Sequence, residues 1–289
     1  ARVGGRSGVM WVACPFLFAK DMDKVVLITG ASSGLGQATA LHLSQLGYRV
    51  FGTSRNPKKY KSTKAFELLP LEIKDPKSII ECVNQVIDKA GRLDVLINNA
   101  GVGITGPMEE IQIDAIQDNF AINCFGPILM VQAVLPQMRK QGSGLIIQIT
   151  SIAGVMGLPF RGVYSASKSA FSIMTESLRM EVKSFGIEVC TLAPGDYATD
   201  IASRRYHAPV TENSPYQKTY QHSLDTMDAH VDDGNPPIEI AEAIAALLTK
   251  RKLKVHYQVG PFIQKLSKSL KGILPSRIFE KLIMNHYKI

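Results

Sequence analysis

The chain is poor in the residues that staple small folds. Its 289 residues include four cysteines and six histidines. Cys14, Cys82, Cys124 and Cys190 form no short-spaced pair, and no His or Cys cluster has metal-ligand spacing. A disulfide framework and a structural zinc site are therefore not expected. A reducing, cytoplasm-like compartment suits the chain, and each thiol reads as a small buried apolar group. Near the N-terminus a long apolar run is missing too. Val9 to Ala19 is eleven residues interrupted by Pro15, short of the roughly 20 that span a bilayer. Arg2 and Arg6 precede it, but no small-residue cleavage site separates it from Met22-Asp23-Lys24. Residues 1–23 therefore read as a tag or leader outside the fold rather than a signal peptide. Acids are scarce at one end only. Residues 250–289 hold ten basic residues and a single acid, Glu280, whereas residues 1–249 hold 23 basic and 24 acidic ones. A body so close to neutral argues against a protein built throughout for nucleic acid.

What is present is alternation. Short apolar runs at Val25–Thr29, Tyr48–Thr53, Phe66–Ile73, Leu93–Asn98, Leu145–Thr150 and Ile187–Ala193 predict six strands. Helical patterns at Gly36–Leu46, Ser78–Lys89, Ile111–Lys140 and Val163–Phe185 separate them, the third bending near Gly126-Pro127. Strands apolar on both faces and joined by helices predict an α/β fold, a single Rossmann-type, doubly wound parallel sheet over residues 24–260. Residues 196–237 carry Pro209, Pro215, Pro236 and Pro237 and little periodicity, so they read as a substrate-covering lid, partly helical, before a helix at Ile238–Leu248.

The first strand runs into Gly30-Ala31-Ser32-Ser33-Gly34-Leu35-Gly36 and then a helix. Glycines there allow a tight turn and let a pyrophosphate approach the helix N-terminus, whose N–H groups and dipole favour an anion. The end of the second strand is Thr53-Ser54-Arg55-Asn56, with no acid before Glu67 to hold a ribose 2′-hydroxyl and repel a 2′-phosphate. Arg55 offers a fork suited to that phosphate and Ser33 a hydroxyl, so NADP(H) is the expected cofactor. Tyr164 and Lys168 are four apart on a helix and share a face. A phenol ordinarily titrates near 10, and an adjacent ammonium favours its ionised form. Ser151, thirteen residues earlier, ends the fifth strand, where ligand chemistry gathers in open α/β sheets.

Together these features resemble the short-chain dehydrogenase/reductase family, in its branch of about 250 residues, from Lys24 to Gly260. TGASSGLG (29–36), NNAG (98–101), Asn123 in INCFG, Ser151 in ITSIAG, YSASK (164–168) and PG (194–195) carry the likeness. GVMGLPFRGVYSASK (154–168) is similar to the subgroup around 17β-hydroxysteroid dehydrogenase type 1 and retinol dehydrogenases, and PGDYAT (194–199) to bacterial members. The resemblance implies a catalytic set in which Tyr164 is the general acid/base, Lys168 tunes it and holds the nicotinamide ribose, Ser151 polarises the carbonyl and Asn123 positions a relay water. Asn98 would brace the central sheet. Cofactor contacts would come from Gly30, Ser32, Ser33, Gly34, Leu35, Gly36, Arg55, Glu72, Ile73, Asn99, Ala100, Gly101, Tyr164, Lys168, Pro194, Gly195, Tyr197 and Thr199. Two departures stand out. Glu72 occupies the place where the family often has Asp against the adenine, and Ser33 stands where many NADP-dependent members carry a basic residue.

The expected activity is NADP(H)-dependent interconversion of a lipophilic ketone or aldehyde and its alcohol, in a cytoplasmic homodimer or homotetramer assembled through helices 111–140 and 163–185. The apolar segment 155–160 suits such a substrate. A catalytically silent, nucleotide-binding scaffold is the alternative, and it would bind cofactor without turnover. No metal and no nucleic acid is expected. Residues 261–289 form a basic amphipathic extension, with Phe262, Ile263, Leu266 and Leu270 on one stripe and Ile278, Phe279, Leu282 and Ile283 repeating it. Packing over the pocket or a sister subunit accounts for the stripe, and contact with an anionic membrane surface is the competing account.

Overall fold

The structure, a computed structural model, describes residues 24–61, 64–197, 205–232 and 234–289. Strand β1 (Val25–Ile28) sends Val25 and Leu27 to one face and Val26 and Ile28 to the other, and all four are buried. Both faces must then be covered, and the chain covers them by alternation. After β1 come α1 (Gly34–Gln45), β2 (Arg49–Ser54), β3 (Glu67–Pro70), α2 (Pro76–Ala90) and β4 (Val95–Asn98). A short β5 (Ile104–Thr105), α3 (Ile113–Phe120), α4 (Gly126–Gln141), β6 (Gly144–Ile149), α5 (Gly162–Val182) and β7 (Ile187–Pro194) follow. The chain continues through a short β8 (Tyr206–His207), α6 (Gln217–Asp232), α7 (Ile238–Leu248), β9 (His256–Val259), α8 (Phe262–Ile273) and α9 (Ser276–Tyr287).

Seven strands form one parallel sheet in the order β3-β2-β1-β4-β6-β7-β9. Val83 of α2, Val134 of α4 and Val182 of α5 pack with Leu27, Leu96 and Ile146 on one face. Leu43 of α1 and Ile244 of α7 pack with Ile28, Ile97 and Ile147 on the other. This is the expected doubly wound, Rossmann-type sheet. Strand order reverses between β1 and β4, so a crevice opens at their C-terminal ends, where such sheets bind ligands.

Local chemistry sets the boundaries. Asp75 Oδ1 accepts from the Lys77 N–H at 2.9 Å and Pro76 opens α2, while Gly91 ends it at φ 73°. The irregularity expected near Gly126-Pro127 lies just before them, as a π-turn over Ala121–Phe125 that joins α3 to α4. The joined helix, Ile113–Gln141, is long and apolar enough to cross a bilayer by composition, but Met130, Val134 and Met138 are wholly buried in the sheet's core. Cys82, Cys124 and Cys190 are also core residues, and burial pushes the Cys82 and Cys190 thiols up to about 12.

Two elements, β8 and β9, depart from expectation. β9 is a seventh strand whose sequence, HYQV, is half polar; it pairs with β7 at the sheet's edge, where only half-burial is required. Within residues 205–232, β8 pairs with β5, Ile104 opposite Tyr206, and α6 is a helix of 16 residues where partial helix was expected. Tyr216 Oη donates to Glu109 at 2.6 Å and the Tyr220 ring meets Phe160 edge-on at 5.4 Å, so α6 is tied to the body. Thr199 and the leader 1–23 lie outside the described residues.

Candidate active site

The crevice begins with an interlock of backbone and short side chains. Gly30 and Gly34 adopt φ 67° and 55°, which L side chains rarely take. A Cβ on Gly36 would stand 2.5 Å from Asn99 Nδ2 and closer still to the Gly30 carbonyl oxygen. Thr53 Oγ1 accepts from the Gly30 N–H at 3.1 Å, and Thr29 Oγ1 accepts from the N–H groups of Asn99 and Ala100 at 2.9 and 3.0 Å. Asn99 Nδ2 in turn donates to the carbonyls of Thr29 and Gly30. The glycine turn and NNAG are therefore one hydrogen-bonded unit. The Asn99 side chain holds that unit together, which leaves its donors engaged. Ser32, Ser33 and Leu35 are half-buried along the turn, and the first turn of α1 has no acid to oppose a phosphate.

At the outer end, Arg55 is exposed beyond β2. It lies close enough to oppose the charge of Lys74, whose ammonium is held up chiefly by its hydrogen bond to Asp118 at 2.7 Å. Lys74 is thus a second cation at this end that the sequence reading did not single out. Glu72 Oε1 accepts from the Lys74 N–H at 3.3 Å. The Ile73 side chain is in the core, 2.6 Å from where a Cβ on Gly126 would stand, so only its main chain is free for a cofactor.

The inner end gathers the catalytic candidates. Tyr164 and Lys168 on α5 are 8% and 5% exposed. Lys168 Nζ donates to the Ile149 carbonyl at 3.0 Å, and burial pushes its pKa down to about 8. Ser151 lies two residues past β6 and caps a 3-10 turn over Ile152–Val155; its Oγ accepts from the Ala153 N–H at 3.2 Å, leaving the hydroxyl proton to donate elsewhere. Asn123 lies in the π-turn and is wholly buried. Its Oδ1 accepts from the Val102 N–H at 2.8 Å while Nδ2 reaches the Val102 carbonyl at 2.9 Å and Ser167 Oγ at 3.2 Å. A Cβ on Gly101 would stand 3.2 Å from both Asn123 Oδ1 and Lys168 Nζ, so that glycine keeps the corner open. Asn98 Nδ2 bridges the Pro127 carbonyl and Gln148 Oε1 behind the crevice, the brace expected of it.

The far wall was less legible. Pro194 and Gly195 leave β7, and Gly195 N–H donates to the Val259 carbonyl at 2.8 Å. Tyr197 lines the crevice but is 4% exposed, its hydroxyl 3.3 Å from Glu239; burial, then Glu239, drives its pKa well up, so it acts as a core residue with its polar end engaged. Arg161, Asp196, Arg205 and Met227 also line the crevice and were not foreseen. Arg161 is one helical turn before Tyr164, so the i, i+3 spacing could have found it. Its guanidinium lies 5.2 Å from the Tyr164 ring centroid and hydrogen-bonds Tyr287 near the C-terminus. Burial opposes the Arg161 charge, but Tyr287, Tyr164 and Asp196 outweigh it. Phe160 just before it holds φ 57°, a strained value for an aromatic residue. Gln264 of α8 accepts from the Asp196 N–H at 3.0 Å and donates to its carboxylate at 2.7 Å. No periodicity could have placed that contact.

Left-handed glycines, a cleft kept free of Cβ atoms, a buried ammonium at one end and Arg55 at the other fit a dinucleotide. Comparison with known proteins agrees. Residues 24–209 match the short chain dehydrogenase family. The chain is 38% identical to a 3-ketodihydrosphingosine reductase of Bacteroides thetaiotaomicron, over 92% of this chain and 98% of that protein. Human 17-beta-hydroxysteroid dehydrogenase type 1 is 32% identical, covering 81% and 76% of the two chains. A short-chain dehydrogenase from Streptomyces avermitilis superposes with a TM-score of 0.75 at 31% identity, over 91% of this chain and 99% of that one. Other solved matches hold NADP in some cases and NAD in others.

Proposed function

The chain belongs to the short-chain dehydrogenase/reductase family, and on that premise we propose that it is an NADP(H)-dependent oxidoreductase interconverting a lipophilic ketone or aldehyde and its alcohol. The observation that carries this reading is the convergence of Tyr164, Lys168 and Ser151 on the crevice that holds the glycine turn. Bound nicotinamide supplies or accepts the hydride at the carbonyl carbon. Ser151 donates its hydroxyl proton in a hydrogen bond to the substrate oxygen, and Tyr164 protonates that oxygen in the reductive direction. Lys168 sets its charge beside the phenol and has donors left for a ribose after its bond to Ile149. Asn123 is a brace first, because its amide clamps Val102. The residues proposed to hold the cofactor are Gly30 to Gly36, the backbone at Gly101 and Gly195, and Arg55 at the 2′-phosphate.

The substrate wall is divided. Val155, Met156 and Leu158 meet Phe279 and Ile283 of α9 on the apolar side, while Arg161, Arg205 and Asp196 supply a polar side. Such a wall suits an apolar carbonyl compound with a polar group near the reacting carbon. Exposed Phe125 in the π-turn before α4 and exposed Ile173 and Met180 on α5 support assembly as a homodimer or homotetramer. The test is an NADPH-oxidation screen over 3-ketodihydrosphingosine, steroid, retinoid, acyl and small carbonyl substrates. Turnover with NADPH, lost in Tyr164→Phe, supports the reading. Cofactor binding without turnover on any class favours the silent scaffold. Arg55→Asp is expected to cut the NADPH-over-NADH preference by about 10- to 100-fold, and an unchanged preference overturns the cofactor assignment.

A further inference from the structure

Helix α8 is mounted with its amphipathic pattern reversed. At 3.6 residues per turn, Phe262, Ile263, Leu266, Leu270 and Ile273 fall within an arc of about 100°. In an ordinary surface helix that arc faces the core. Here no residue of α8 is buried, and Phe262, Ile263 and Ile273 are 74%, 79% and 78% exposed. The helix is held instead by its polar side. Gln264 grips Asp196, and Lys271 Nζ donates to the Val155 carbonyl at 2.6 Å. Ile278 and Leu282 of α9 are also about half exposed, while Phe279 and Ile283 of that helix cover the apolar side of the substrate wall.

We propose that this outward apolar face, rimmed by lysines, docks the protein on an anionic lipid surface and so sets the pocket mouth against the bilayer. Charge selects the occupant. Lys265 of α8 and Arg277 and Lys281 of α9 flank the apolar side chains, with Glu280 as the sole acid of the last 40 residues. Apposing this face to a second copy would bring two strongly basic surfaces together, whereas anionic headgroups neutralise it and the acyl boundary takes the apolar side chains. Nucleic acid would meet the lysines but leave the stripe in water. The segment 155–158, proposed as the pocket's apolar side, packs against Phe279 and Ile283 of α9, the helix next to the stripe, so an apolar substrate dissolved in the membrane would reach the crevice without crossing much water.

The experiment is co-sedimentation of the full chain with phosphatidylcholine vesicles, with and without phosphatidylglycerol, at about 0.1 M and 0.5 M salt. Three proteins are compared: the parent, Phe262→Asp/Ile263→Asp, and Lys265→Glu/Lys281→Glu, each checked by circular dichroism and NADPH binding. These positions point away from the crevice, so both controls should be unchanged. The parent is expected to bind phosphatidylglycerol vesicles at low salt at least tenfold more than phosphatidylcholine alone. Each double variant is expected to lose at least tenfold, and high salt to release the parent. Absent vesicle binding, or binding that survives the Phe262→Asp/Ile263→Asp change, overturns the proposal. So does a concentration-dependent dimer, seen by sedimentation velocity, that this same change abolishes.

Discussion

Lys168 and Phe262 each occupy the environment least suited to them: an ammonium only 5% exposed, and an aromatic ring 74% exposed. Around Lys168 the scaffold compensates. Its ammonium bonds the Ile149 carbonyl, and the neighbouring Asn123, Asn99 and Thr29 side chains are all hydrogen-bonded into turns. Around Phe262 nothing compensates, because α8 is docked through Gln264 and Lys271 on its opposite side. A misplaced group inside a finished polar frame is machinery, held ready for chemistry. A misplaced group on an open face waits for a surface. The two regions nonetheless meet at Asp196, which Gln264 binds and which faces Arg161. The basic C-terminal segment is therefore a wall of the pocket as well as an outer face.

The sharpest way to separate the two regions is by activity. Tyr164→Phe should lower turnover on any substrate the screen identifies by about 10²–10⁴-fold, the usual worth of a general acid/base, with cofactor binding retained. Ile263→Ala, which removes far more atoms, should leave turnover on a water-soluble substrate unchanged. Steady-state kinetics check both. Stability separates them next. Ile97 is wholly buried between the sheet and α1, and its truncation to Ala should cost about 2–5 kcal/mol. The same truncation at Ile263 should fall within about 0.5 kcal/mol, since its side chain is 79% exposed. Urea melts measure the difference; a large loss at Ile263 would mean the stripe is covered in solution.

Legibility followed the same division. The sheet, its helices and the positions of Tyr164, Lys168, Ser151 and the glycine turn could be read because each depends on local periodicity or on spacing within one βα unit. β9 escaped because an edge strand paired on one side needs no continuous apolar run, and HYQV has none. Whether the side chains of Asn99 and Ile73 point to the crevice or brace the scaffold is decided by register, and a motif does not carry register. Arg161 and Gln264 depend on segments distant in sequence. For α8 the periodicity marked the apolar stripe but not what it faces: packing and membrane contact were both open, and in the single chain the stripe is turned outward while Gln264 and Lys271 hold the body.

Lys168 offers a more pointed test. Its pKa is depressed from 10.5 to about 8, chiefly by burial. Below pH 8 both folded and unfolded chains carry the proton, and the folded state bears the full cost of burying it. Between about 8 and 10.5 the folded state sheds its proton first while the unfolded chain retains it, so parent stability rises with pH in that window. Lys168→Met removes the charge at every pH. It should abolish turnover yet stabilise the cofactor-free protein at pH 7 by about 1–2 kcal/mol, the shift being discounted for the lost bond to Ile149. Thermal melts should show the advantage shrinking from pH 8 to 10.5. A destabilised variant at pH 7 would mean that the Ile149 bond outweighs the buried charge, and the contrast with Phe262 would weaken.

The smallest effect compares one substitution in both regions. Gly36→Ala adds a methyl group that meets Asn99 Nδ2 at 2.5 Å in the interlocked turn, and should cost about 1–3 kcal/mol along with cofactor affinity. Gly272 lies inside α8 with nothing within 4 Å of its added Cβ. Because Ala loses less backbone entropy than Gly on entering a helix, Gly272→Ala should stabilise by about 0.5–1 kcal/mol. That gain appears in a global melt only if α8 unfolds with the sheet. If hydrogen exchange shows α8 opening on its own, the substitution will slow exchange within α8 and leave the melting temperature where it was. The two polar grips at Asp196 and Val155 would then be a hinge between the catalytic body and its outer face, and the sign of the Gly272 effect would locate it.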